Sequence, residues 1–156
     1  MHHWFDSPPG RYLLAWEQAR FDEAVADIFG YHSLQLGMPL LDGLRTNRMP
    51  HQWLALGQEA VQGSMAFLET GNGDATLQRR AVDLLTDPVA LPFPEASLDL
   101  LVLPHTLELS IDPHAALREV ERVLVPEGRV VISGLNPASL WGLRQWRARL
   151  YQRLGK

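Results

Sequence analysis

The stretch 96–133, ASLDLLVLPHTLELSIDPHAALREVERVLVPEGRVVIS, constrains the fold of this chain more than any other. It opens at 96–104 with a short, nearly continuous apolar run, the pattern of a strand covered on both faces. Asp112-Pro113 then starts a helix: aspartate is a good N-cap, and proline at the first helical position forfeits no intrahelical hydrogen bond. Ala116, Leu117, Val120, Val123 and Leu124 make the apolar face of that helix, and Arg118, Glu119, Glu121 and Arg122 the wet one. The sequence VPEG breaks it, and 129–133 is a second buried, β-branched strand. Strand, helix and strand at this spacing form a βαβ crossover, which joins parallel strands with a right-handed connection. An α/β layered sheet with helices on both faces is therefore expected.

The first half adds weaker signals. Residues 8–29 have helical periodicity, with Leu13, Trp16, Phe21, Val25 and Ile28 near one face and Gly30 as a stop. Strands are expected at 31–36, 51–57 and 80–87, with a loop or short helix after the first. Residues 58–78 are ambiguous beyond the turn TGNGDAT, and a basic helix is expected at 138–154. With 156 residues the chain suits one domain, made of an N-terminal helix at 8–29, an α/β core at 31–134 and the C-terminal helix. The sheet would lack the final helix and strands usual in such folds, or end at five strands, and a C-terminally truncated piece is the expected explanation.

Composition excludes several function classes. Hydrophobic residues make up 46% and charged residues 21%, as in ordinary globular proteins. There is no cysteine, hence no disulfide framework, thiolate nucleophile or Cys-based zinc site. No apolar run approaches the ~20 residues of a transmembrane helix, and no secretory signal is visible, so a cytoplasmic protein is expected. The net charge of −4 hides an asymmetry. No acid follows Glu127, whereas Arg129, Arg144, Arg147, Arg149, Arg153 and Lys156 are all basic. Such a tail can contact nucleic acid or an anionic membrane, or can be a solvated helix face beside acidic neighbours.

Ligands of open parallel sheets bind beyond the carboxyl ends of the strands. That rule selects Gly37–Leu41, Gly57–Glu59, Asp87-Pro88, Pro104–Thr106 and Gly134–Pro137. The same residues carry a family resemblance. An acid before LPFP, then SLDLLV, HTLE, the DPHAALRE helix and the Pro-x-Gly turn resemble the middle of a class I S-adenosylmethionine (SAM) dependent methyltransferase. The flanks WEQARFDEAVADIFGYHSLQLG and ISGLNPASLWGLR resemble a narrower bacterial methyltransferase group with a degenerate glycine motif.

The resemblance implies a Rossmann-like sheet, SAM as cofactor and an unidentified, small-molecule methyl acceptor. It places Gly37, Glu59, Asp87, Pro88, Pro104 and His105 at the cofactor. Asp87 matches the acid that accepts a hydrogen bond from the adenine amino group; alternatively it caps a turn before Pro88. His105 matches the end of the fourth strand, as a general base or as a structural histidine, and no other catalytic residue is implied. Glu108 fits the acid of the family's LEH pattern, as a helix or loop contact. Asn136-Pro137 follows the fifth strand and lacks the aromatic residue of the amino-group DNA methyltransferase motif, so that match is rejected.

Two departures bear on activity. In QLGMPLL, Gln35 replaces the motif's acid, Pro39 and Leu41 replace its second and third glycines, and Leu41 should crowd the cofactor. The ribose-binding acid is missing from its usual place, with Glu59 the nearby substitute. A methyltransferase-like binding or scaffold protein without SAM chemistry is thus the alternative to an enzyme, and a nucleic-acid or membrane-surface module using the basic helix is a third reading.

Overall fold

The computed structural model describes residues 7–57 and 81–135. The expected helix at 138–154, its arginines, Glu59 and the ambiguous stretch 58–78 lie outside the described residues. Helix α1 spans Pro8–Val25, with the Ser7 hydroxyl accepting from the Gly10 amide and prolines in the first turn. It ends four residues before the expected 29, where Asn47 captures one carbonyl at its end and one just beyond it. The Asn47 side-chain amide donates to Val25 O (2.8 Å) and Ile28 O (2.9 Å).

The buried stripe of α1 also differs from expectation. Gly10, Leu14, Glu17, Phe21 and Val25 face inward. Trp16 is 51% exposed, with the Arg20 guanidinium over its ring at 5.6 Å. A glutamate occupies the place the periodicity gives to tryptophan because a partner awaits it, as described below.

Five strands form one parallel sheet: β1 (His32–Leu36), β2 (His51–Leu56), β3 (Leu84–Leu85), β4 (Leu98–Pro104) and β5 (Leu124–Ser133). Their spatial order is β3-β2-β1-β4-β5. The short helix α2 (Thr106–Leu109) follows β4, and α3 (Pro113–Val123) joins α2 to β5. As expected, Asp112 caps α3, accepting from the Ala115 amide at 2.9 Å, with Pro113 next. Ala116, Val120 and Val123 are its buried residues, while Leu117 is exposed.

Several boundaries move. The third strand shrinks from 80–87 to two residues, with an antiparallel bridge between Asp87 and Ala90. The fourth begins at Leu98, since Ala96 has φ +51°. The fifth begins at Leu124, because the VPEG segment stays beside β4 as an irregularity in which the register jumps from Leu98↔Leu124 to Leu100↔Arg129. Between β1 and β2, residues 37–50 cross over in turns with no helix.

That missing crossover helix explains the layering. Parallel neighbours usually cover one face with the intervening helix. Here α1, which precedes the sheet, covers that face instead. Leu14, Phe21 and Val25 pack with Leu41, Leu44, Met49, Leu100 and Val102. On the other face Val120 and Val123 of α3 pack with Leu34, Leu36, Ala55, Leu98, Leu101 and Leu103. Each fully buried Leu, Val or Phe contributes about 1.5–3 kcal/mol. The central strands β1 and β4 are accordingly buried almost throughout.

Candidate functional site at the carboxyl edge of the sheet

The strand order brings most of the expected site residues to one edge. The chain runs outward from β1 in both directions, so the crevice between β1 and β4 is the point where the order reverses. Gly37, with φ +90°, leaves β1 there. A side chain at 37 would come within 3.1 Å of Thr106 Oγ1 and 3.9 Å of Pro104 O, so glycine is required by both conformation and space. Thr106 in turn donates to Leu36 O, binding the exits of β4 and β1 together. Pro104 and His105 are buried beneath this crevice. Farther along the edge, a side chain at Gly57 would reach 3.8 Å from Pro88 Cδ.

Loop 37–43 differs from a glycine cradle, and Gln35 is the reason. Gln35 is fully buried. Its amide nitrogen donates to Gly37 O (3.1 Å), Met38 O (3.1 Å) and Leu41 O (2.8 Å), and its oxygen accepts from the Gly43 amide (2.8 Å). The Gly37 amide is bound to Ala55 O, that of Leu41 to Met38 O and that of Asp42 to Gln18 Oε1. Pro39 has no amide hydrogen. Leu41 does not crowd the crevice as expected; it points into the core beside α1. The loop is held by Gln35 of β1, Gln18 of α1 and the Ala55 carbonyl of β2.

At the exit of β4 lies a buried charge cluster. His105 is 4% exposed and adopts φ +54°. Its Nε2 faces Glu17 Oε1 at 2.9 Å and Oε2 at 3.1 Å, and its Nδ1 contacts Glu108 Oε1. Both ring nitrogens can donate to these carboxylates at once only when the ring is an imidazolium. Hydrogen bonding to Glu17 holds its pKa above the ordinary histidine value against the opposing effect of burial, with Glu108 adding to the rise. Glu108 also accepts from the Leu135 amide (3.3 Å) at the exit of β5. Of these residues Glu17 is the one the sequence reading omits. It sits 88 residues from His105, and no local pattern connects them.

Asp87 is exposed, and its Oδ1 accepts from the Val89 amide at 3.0 Å. The turn-capping reading thus holds, and the exposed carboxylate keeps acceptor capacity toward solvent. The segment after it is fastened to α3. Arg122 donates to Leu91 O and Phe93 O (both 3.0 Å), and Glu119 accepts from the Leu91 amide (2.9 Å). The Arg122 guanidinium beside Glu119 holds that carboxyl below its ordinary pKa.

SAM fits one half of this edge. Asp87, beside Gly57 and Pro88, can accept from an exocyclic amino group. Loop 37–43, with the amides of Gly37, Leu41, Asp42 and Gly43 already bonded within the protein, does not form the donor cradle that a three-glycine motif supplies. An open concavity of about 830 Å³ lies elsewhere, between α3 and β5 toward the amino ends of the strands.

Comparison with known proteins bears on this edge directly. A family model described as a methyltransferase domain matches residues 54–132. The uncharacterized protein YafS of Escherichia coli K12 is 32% identical over 142 residues, which are 91% of this chain and 51% of YafS. Malonyl-(acyl-carrier protein) O-methyltransferase of Halorhodospira halophila is 31% identical over 102 residues, 65% of this chain and 35% of that protein. The chain thus spans about half or less of the curated relatives it matches. In fold it resembles a SAM-dependent methyltransferase of Thermotoga maritima, with a TM-score of 0.53 and 16% identity, covering 94% of this chain and 68% of the other.

Proposed function

Since the chain belongs to the methyltransferase-domain family, we propose that it forms the cofactor-binding part of a SAM-dependent methyltransferase acting on a small-molecule acceptor. The observation that carries this reading is the parallel order β3-β2-β1-β4-β5, which delivers Gly37 and the exposed Asp87 to the same edge. Asp87 accepts from the adenine amino group, with Gly57 and Pro88 as neighbours; Glu59 is the candidate for the ribose hydroxyls. Gly37, Pro104 and His105 border the methionyl end. The bound sulfonium would supply an activated methyl group, and this chain's part is to orient it and keep water away. His105, with carboxylates at both nitrogens, is a poor general base, and none of the edge residues is assigned that role.

A second reading, a methyltransferase-like binding or scaffold protein, is favoured by one observation. Gln35 closes the loop that would hold the methionyl group. Calorimetric titration of the full-length protein with SAM and S-adenosylhomocysteine separates the two. The enzyme reading expects binding of both, weakened roughly 10- to 100-fold by Asp87→Ala, as for loss of a hydrogen bond to a charged group. Absence of binding by either ligand leaves the scaffold reading. Binding untouched by Asp87→Ala removes the adenine assignment.

A further inference from the structure

The charge cluster at His105 does more than border the edge, because its two carboxylates come from different parts of the fold. Glu17 belongs to α1, halfway along the helix. Glu108 belongs to α2 and also holds the amide of Leu135 beyond β5. His105 itself follows β4, and its amide donates to Ser133 O at 3.0 Å. One imidazolium thus ties the first half of α1 to the exits of β4 and β5, next to the Thr106 that packs on Gly37.

We propose that His105 is a positioning residue, a doubly engaged imidazolium that clamps the first half of α1 over the carboxyl edge, so that loss of its proton loosens that half and opens the edge. The clamp concerns the edge itself, whichever ligand the edge takes.

The packing of α1 explains why only part of the helix responds. Phe21 and Val25 are buried in the core, and Asn47 holds the carbonyl end, so the second half is anchored without the cluster. The first half has Leu14 in the core and Glu17, 5% exposed, on the cluster. When His105 is neutral, one ring nitrogen becomes an acceptor facing a carboxylate, and Glu17 and Glu108 lose the cation that lies between them. Among the described residues, the titratable groups acting on His105 are Glu17 from α1 and Glu108 from α2. Because the folded pKa lies above the unfolded one, the clamp contributes fully below about pH 6.5 and is lost as pH rises through the folded value.

The test is amide hydrogen exchange of the full chain from pH 6 to pH 9.5, expressed as protection factors, beside a titration of the His105 ring protons by NMR. The ring should titrate above the ordinary range. Protection of residues 11–17 should then fall about tenfold for each pH unit passed above the folded midpoint, toward the level the apolar contacts alone sustain. Protection of residues 21–25 should hold. Glu17→Gln should lower the ring midpoint and loosen 11–17 already at neutral pH. His105→Gln should make protection there independent of pH. A ring that titrates at or below the ordinary range, or wild-type protection of 11–17 that does not change with pH, overturns the clamp without any variant having to fold.

Discussion

A carboxylate at position 35 would face the carbonyl oxygens of Gly37, Met38 and Leu41 at the distances where Gln35 now donates to all three. Three acceptors turned toward a buried acid leave it with no donor except the Gly43 amide. Gln35→Glu, which restores the residue type of the ordinary methyltransferase motif, should therefore destabilise this protein by about 3 kcal/mol at neutral pH. Urea denaturation reads this directly, and an unshifted midpoint would mean the loop does not depend on that amide. The departure at 35 is legible in the sequence as a missing acid, but its meaning is not. The four partners of Gln35 converge only once residues 37–43 have folded back over it. Glu17 is hidden in the same way: a glutamate beside Trp16 and Gln18 reads as a wet position until a histidine from the far end of β4 is brought against it. Asp87 and Gly37, by contrast, are legible because each needs only its own strand end and turn.

At the scale of elements, α1 shows how a loop residue sets a helix boundary. Asn47 takes two carbonyls at the end of α1, and its oxygen accepts from the Met49 amide at 3.0 Å. Asn47→Ala would remove three hydrogen bonds, leaving Val25 O with only the Ile28 amide (3.2 Å), and should cost about 2 kcal/mol. For a chain of this size that is a fall in melting temperature of about 4–8 °C, measurable by calorimetry. Helix α3 and the strands around it are legible because their signals are local: a cap, a proline and two apolar runs. The end of α1 is not, since residues 26–29 continue the periodicity and only a side chain from the β1–β2 crossover cuts it short. The short β3 is misread for a related reason. Its apolar pair Leu84-Leu85 is bounded by Asp83 and Thr86, whose amides still reach β2, before the chain turns at Asp87.

For the whole molecule, the sheet divides into a local part and a distant part. β4, α2, α3 and β5 are consecutive, whereas β1 pairs with β4 through Ser33↔Leu100, Leu34↔Leu101 and Gln35↔Val102. Contacts with small sequence separation cost less loop entropy and tend to form first. Val120→Ala, in α3, should accordingly slow refolding, whereas Leu14→Ala, in α1, should mainly speed unfolding. Stopped-flow kinetics in denaturant separate the two, and the reverse assignment would place the nucleus in the first half of the chain. The same order has a consequence on the ribosome. β1 can pair with β2 early, but its other edge waits for residues 67 positions later, several seconds at ~5–20 residues per second. Throughout that interval the nascent chain carries an apolar strand with one open flank, the kind of template that recruits other chains. Synthesis of β4 closes it, so the middle of the finished sheet is the most vulnerable place in the unfinished one.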